Sequence, residues 1–241
     1  MRHWPALLIC LTAAPAWAVE DYDTCTALIA ADPAAAAAGA QVWARFGGGW
    51  PARHCHALAL LALGAERKAA LEIAAIARDA SDLPADIRAE MFVEAGEIFL
   101  DLGELGETAQ AVERADRLDP RSRGARLLSA ALAARFGDWA GAEADLTQAI
   151  DRAGPDAETL SLRATAKRRG GDAAGARTDA YWAQELAPES PAVWLEIGEV
   201  EALLGNRAAA RAAWLSAIRL AGAEDPLAGI ARQKLQLMDL N

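Results

Sequence analysis

Residues 194–217 read WLEIGEVEALLGNRAAARAAWLSA. Two apolar-periodic runs of about a dozen residues flank Gly205-Asn206, which is the length and spacing of two short helices. Small residues recur at Gly198, Ala210 and Ala217, and bulky ones at Trp194, Ile197 and Trp214. Small side chains let two helix backbones approach closely, and the bulky ones fill what remains. Gly205 ends the first helix by taking a left-handed conformation that a β-carbon disfavours. The stretch therefore predicts an antiparallel helix pair.

The same marks recur outward in steps of 34 residues, in windows 89–122, 123–156, 157–190 and 191–224 with no gap. Position 8 is Gly96, Ala130, Ala164 and Gly198. Position 15 is Gly103, Gly137, Gly171 and Gly205, followed by Glu104, Asp138, Asp172 and Asn206. Position 20 is Thr108, Ala142, Ala176 and Ala210, and position 27 is Ala115, Ala149, Ala183 and Ala217. Pro120 and Pro188 stop second helices, because proline lacks the donor that would continue them. A fifth window, 50–83, carries Ala57, Gly64, Ala69, Ile73 and Ile76, and Pro84 to Arg88 then extend the next helix start. One such pair cannot bury its own apolar face, so the pairs must stack.

This register resembles that of the tetratricopeptide repeat (TPR) family, and the resemblance covers residues 50–224. It implies an all-α fold, a right-handed superhelical solenoid of five antiparallel helix pairs. Residues 19–49 precede it as a helical hairpin around Asp32-Pro33, ended by Gly47-Gly48-Gly49. The alanine run Ala34–Ala38 reads as a thin helix face. Residues 225–241 follow as a capping helix, apolar at Leu227, Ile230, Leu235 and Met238. Arg126 at position 4 and Lys167 at position 11 depart from the apolar pattern. They read as looser packing or as charge shown to a partner.

Composition agrees with helices. The 241 residues include 63 alanines and only 6% aromatics. Alanine loses no side-chain entropy in a helix, whereas strands favour branched and aromatic residues. An all-β fold is excluded, and a doubly wound α/β fold is disfavoured. The net charge of −10 is opposite to a nucleic-acid footprint, so no nucleic-acid partner is expected. The 21 arginines against 3 lysines, with the alanine excess, suggest a bacterial chain from a GC-rich genome.

Residues 1–18 read as a secretory signal peptide. Arg2 is followed by a short apolar stretch from Trp4 to Ala14 and by Ala16-Trp17-Ala18 before Val19. The stretch falls short of the roughly 20 residues that span a bilayer. The mature chain is therefore expected to start at Val19, to be exported to a periplasm and to have no stable membrane insertion. It retains Cys25 and Cys55, an even number in an oxidising compartment, and a disulfide between them is the simplest reading.

Catalytic signatures are sparse. His54 and His56 flank Cys55, but on a helix they point about 200° apart and cannot share one site. Gly170-Gly171 joins two helices, whereas a phosphate loop needs a strand before it. No metal site, cofactor or enzyme activity is implied. In TPR proteins the first helices line a concave groove, chiefly through positions 2, 5, 9, 12 and 13. Those positions are acidic at Glu90, Glu97 and Asp101, basic at Arg135, Arg168 and Arg169, and more apolar beyond. The partner-binding set expected from this resemblance is Leu127, Arg135, Thr165, Arg168, Arg169, Leu195 and Glu199, with the three arginines meeting an anionic ligand. The implied function is an exported scaffold for a protein or peptide. Alternatives are an envelope assembly factor in a cell-wall, outer-membrane or cytochrome maturation complex, or an envelope enzyme, for which no constellation is present. The residues specify neither partner identity nor oligomeric state.

Overall fold

A computed structural model of the protein describes residues 19–240, so the leader reading of residues 1–18 lies outside the described residues. Every regular element described is helical. The chain forms two compact units, one ending at Ala80 and one beginning at Ser81.

In the first unit, α1 (Tyr22–Ala31), α2 (Pro33–Trp43), a π-helical turn (Ala44–Gly48), α3 (Gly49–Ala62) and α4 (Glu66–Asp79) follow one another. Asp32 serves both helices it separates. Its backbone N–H donates to Leu28 at the end of α1, and its carboxylate accepts from the Ala35 N–H at the start of α2, where Pro33 fits the first turn. The alanine run is a packing face: Ala36 and Ala37 lie against Ala59 of α3. Gly47 and Gly49 take positive φ in the turn that redirects the chain.

Cys25 of α1 and Cys55 of α3 are bonded, with Cα atoms 6.3 Å apart, and both are fully buried. His54 and His56 diverge as their spacing requires. His54 Nδ1 is 2.7 Å from the Tyr22 hydroxyl, whereas His56 bonds Gln41 through Nε2 and Glu72 through Nδ1. Cys25→Ser with Cys55→Ser should cost the first unit about 3–4 kcal/mol, the loop-closure entropy of a bridge spanning 30 residues. Urea unfolding under reducing and oxidising conditions checks this. Equal midpoints in the two conditions would show that the bond contributes nothing.

The second unit contains α5 (Ala85–Asp101), α6 (Leu105–Leu118), α7 (Arg123–Arg135), α8 (Trp139–Ala153), α9 (Ala157–Gly170), α10 (Ala173–Leu186), α11 (Pro191–Leu203), α12 (Arg207–Ala221) and α13 (Pro226–Asp239). Consecutive helices pair as α5/α6, α7/α8, α9/α10 and α11/α12. The residues interrupting the 34-residue register start α5 early, making it the longest helix at 17 residues. Second helices end in two ways. α6 and α10 stop before Pro120 and Pro188, whereas α8 and α12 run one residue longer to Gly154 and Gly222, both at positive φ.

The small residues have the packing role their spacing predicts. Ala115, Ala149, Ala183 and Ala217 are at most 1% exposed. A β-carbon on Gly198 would overlap the indole of Trp214, and one on Gly96 would overlap Leu128. Leu160, Ala164, Ala180, Val193, Ile197 and Val200 form one core across α9, α10 and α11. Each fully buried leucine or isoleucine there contributes about 1.5–3 kcal/mol.

Charge inside the stack departs from expectation. Arg126 and Lys167 present no charge to a partner. Arg126 is 11% exposed and bridges Asp116 and Asp145, and Lys167 is 15% exposed and bonds Asp179. Glu201 is fully buried and accepts from Arg177, Tyr181 and Asn206. Burial alone would raise its pKa, but these hydrogen bonds outweigh it and hold the carboxyl below its ordinary range. The stack thus uses its cations internally, because two helices in contact bring opposite charges within hydrogen-bond reach.

The terminal helix α13 also differs from its sequence reading. Ile230 is 41% exposed, and the inward stripe is Ala228, Ala231, Leu235 and Met238. Residues 228 and 230 point about 200° apart on a helix, so the two cannot share a face.

Candidate functional site

Neighbouring first helices touch at two junctions of the second unit, α5 with α7 and α9 with α11. Between α7 and α9 the contact is weaker, and α9 packs on its partner α10 and on α8. Arg123, at the start of α7, ties the two helices at their beginnings. It donates to Asp156 at 2.9 Å and to the Thr159 hydroxyl at 2.7 Å. Along the rest of their length a solvent-open pocket of about 380 Å³ lies between them.

The pocket follows from side-chain size. α7 contributes Leu127, Ala130, Ala131 and Ala134, and α9 contributes Leu162, Thr165 and Ala166. The alanines are too short to fill the space between the helices. The floor is α8, through Trp139, Ala142 and Leu146. Thr165 supplies the one polar side chain, apart from the indole N–H of Trp139. Trp139 stands beside Gly170 at the end of α9, and the Arg169 guanidinium lies 5.8 Å from the centre of its ring. That separation is within cation–π range.

An acidic face adjoins this site. Partial burial raises the pKa of Glu97, and the like charges of Glu94, Glu90, Asp101 and Glu158 push it further in the same direction. Negative potential is therefore concentrated along α5 and at the start of α9, where Glu158 stands. Among the described residues, no group of three His, Cys, Asp or Glu side chains could hold a metal ion.

No protein-family model matches the chain, and no curated protein matches it in sequence. Solved structures match it in shape. A tetratricopeptide repeat protein from Parabacteroides merdae aligns with a TM-score of 0.65 at 16% identity, over 91% of this chain and 84% of that one. The fold is the TPR solenoid. TTC0263, a thermophilic TPR protein of Thermus thermophilus, aligns at 0.56 with 20% identity, over 76% of this chain and 97% of its own. YrrB, described as a TPR protein with an unusual peptide-binding site, aligns at 0.54 with 17% identity, over 76% and 91% of the two chains. At these identities the likeness is one of fold.

Within the TPR frame, the residues expected to bind a partner do not all gather. Leu127 and Thr165 face each other across the pocket. Arg169 lies on the indole that forms part of its floor. Arg135 follows the pocket-lining Ala134, and both Arg135 and Arg169 are solvent-accessible.

Arg168 is a correction. Its Nε and Nη2 donate to the two carboxylate oxygens of Glu196 at 2.8 and 2.9 Å, and Glu199 stands 3.9 Å away. α11 packs beside α9 and carries Glu196 to it, so the guanidinium fork is already filled. Leu195 and Glu199 are partly engaged by the terminal helix. Leu195 packs into the cluster of Trp214, Ala231 and Met238, and Glu199 accepts from Lys234 of α13 at 2.9 Å. Glu199 also lines an open pocket with Ala202, Arg207 and Lys234.

The sequence reading missed Trp139 and Leu162 as pocket residues. It placed Ala131 and Ala134 at groove positions but gave them no role. The readable signal was a run of small side chains at 130, 131 and 134 facing Thr165 and Ala166, with Leu162 the one large residue opposite.

Proposed function

We propose that this protein is an exported TPR scaffold that holds a protein or peptide partner in the groove of its second unit and performs no chemistry of its own. The carrying observation is the pocket between α7 and α9, an open apolar space with two solvent-accessible arginines beside it. Such a surface recognises a chain segment. It lacks the nucleophile, base and orienting group that a reaction would require. The likeness to YrrB, described as having a peptide-binding site, supports the same reading. Export is supported by the character of residues 1–18 and by the buried Cys25–Cys55 bond, since such bonds persist in oxidising compartments. Among the described residues, no helix is long and apolar enough to cross a membrane.

Affinity capture from a periplasmic extract with mass spectrometric readout tests both parts. The recovered bait should begin at Val19, and a membrane-bound bait retaining Met1 would assign residues 4–18 as an anchor. Arg135→Glu with Arg169→Glu should weaken capture of specific partners several-fold. Loss of the Arg169–Trp139 stack and charge reversal in the last turns of α7 and α9 should cost about 1–2 kcal/mol, too little to unfold the unit. Capture unaffected by the double variant would remove the groove from the reading. A measurable turnover with no specific partner would overturn the scaffold itself.

A further inference from the structure

We infer that the α7–α9 pocket seats one apolar side chain of an extended protein segment that carries a carboxylate two residues along, and that Arg169 receives that carboxylate. This rests on the scaffold reading and makes it specific for an apolar and an acidic residue separated by one position.

The apolar half follows from the walls. The pocket is lined almost entirely by carbon. A polar or charged occupant would lose its hydration with little more than the Thr165 hydroxyl to replace it. Only about 90 Å³ of the space is sheltered from open solvent, far below the several hundred Å³ of small-molecule pockets. It suits a side chain entering from an extended backbone better than a folded surface.

The acidic half follows from which cations remain available. Arg163 is spent on Asp179, Arg168 on Glu196, and Arg123 on Asp156 and Thr159. Arg169 has no ion pair among the described residues, and its guanidinium rests on Trp139. Stacking on an aromatic face restrains a guanidinium while leaving its in-plane donors open to a carboxylate fork. In an extended segment successive side chains point to opposite faces, and residues two apart share a face with about 6.6 Å of rise between them. A carboxylate two residues from the pocketed side chain therefore falls on the groove side, within reach of the guanidinium that lies 5.8 Å from the ring of the pocket-lining Trp139. Direction is set as well. Glu158 stands in the first turn of α9, among the like charges acting on Glu97, whereas Arg169 stands in the last turn, so the acidic end points toward the end of α9.

The test is panning of a displayed random 12-residue peptide library on the immobilised full-length protein, followed by fluorescence anisotropy of enriched peptides. The expected result is enrichment of a large apolar residue two positions from Asp or Glu, and a loss of about tenfold in affinity on Arg169→Glu. Replacing the peptide's acidic residue by its amide should cost a similar factor and should make Arg169→Glu nearly silent. Ala134→Phe fills an open pocket and should abolish binding of the same peptides, with circular dichroism confirming the fold. Enriched peptides that ignore both variants would overturn the inference and leave the scaffold reading standing. A protein that enriches no peptide would count against both. Hexanoate alone binding as tightly as the peptides would assign the pocket to small carboxylates, and self-association lost on Ala134→Phe would assign it to a second copy. Either result would overturn the peptide seat.

Discussion

Asp179→Ala should destabilise the second unit by about 3–5 kcal/mol, the range for removing one partner from a buried ion pair. Asp179 is 2% exposed and receives two hydrogen bonds from Arg163, each 2.8 Å, while Lys167 Nζ lies 2.9 Å away. Both cations are largely enclosed, at 12% and 15% exposure. Deleting the carboxylate leaves two positive charges facing each other with poor access to water. The Thr147 hydroxyl, 3.3 Å from Arg163 Nη1, is too weak an acceptor to compensate.

The chain itself supplies the rescue. Arg163 and Asp179 occupy positions 7 and 23 of their window, and Ile197 and Ala213 occupy the same places one unit later. Arg163→Ile combined with Asp179→Ala should therefore recover part of the loss, because an apolar pair already works at that junction while Lys167 still lacks its carboxylate. Urea unfolding of the two variants separates the cases. Equal losses for the single and double variants would mean that the network's value lies elsewhere.

Trp214→Ala should cost about 3–5 kcal/mol, and the cost should be local. Trp214 is 3% exposed and packs with Ala210, Ala217, Ala231 and Met238. Its indole lies under Gly198, where a β-carbon would collide with it. Its Nε1 is buried without a hydrogen-bond partner, so the substitution removes packing and no polar bond. Each helix pair depends mainly on its neighbours. Hydrogen exchange should accordingly show α12 and α13 losing protection while α5 to α8 keep theirs. A uniform loss along the unit would mean that it unfolds as one cooperative body.

These two residues illustrate what the sequence reveals and what it conceals. Trp214 was legible because bulk at position 24 and a small residue at position 8 are complementary in size, and shape complementarity repeats with the chain. The helix ends were legible for a similar local reason, since glycine and proline act on their own backbone. Asp179 was not legible as a buried partner. A carboxylate on a helix reads as solvated unless the helix across from it is known. Hindsight supplies a signal: Ser129 with Asp145 and Arg163 with Asp179 share positions 7 and 23, and both pairs are hydrogen-bonded. Where position 23 is Ala111 or Ala213, position 7 is Ala95 or Ile197. Polarity therefore changes in pairs. Arg168 was misread for the same reason as Asp179, because Glu196 lies on a different helix 28 residues away. The pocket was half legible, since small side chains show where space is left but not which helix will fail to fill it.

The place of α13 constrains how the array can change in length. It rests on α12 and α11 as α11 rests on α10 and α9, so it takes the position of a next first helix with no second helix packed behind it among the described residues. Lys234 bonds Glu199, and Arg207 and Arg211 bind the backbone of Met238 and the carboxylate of Asp239, which clamps this half unit in place. Its outer side carries exposed Arg232, Gln233 and Gln236. A further helix pair stacked on that side would have to desolvate those groups without partners. Duplication or deletion of whole 34-residue steps is accordingly compatible with this clamp only where the α11–α12 pair, which supplies Glu199, Arg207 and Arg211, stays next to α13.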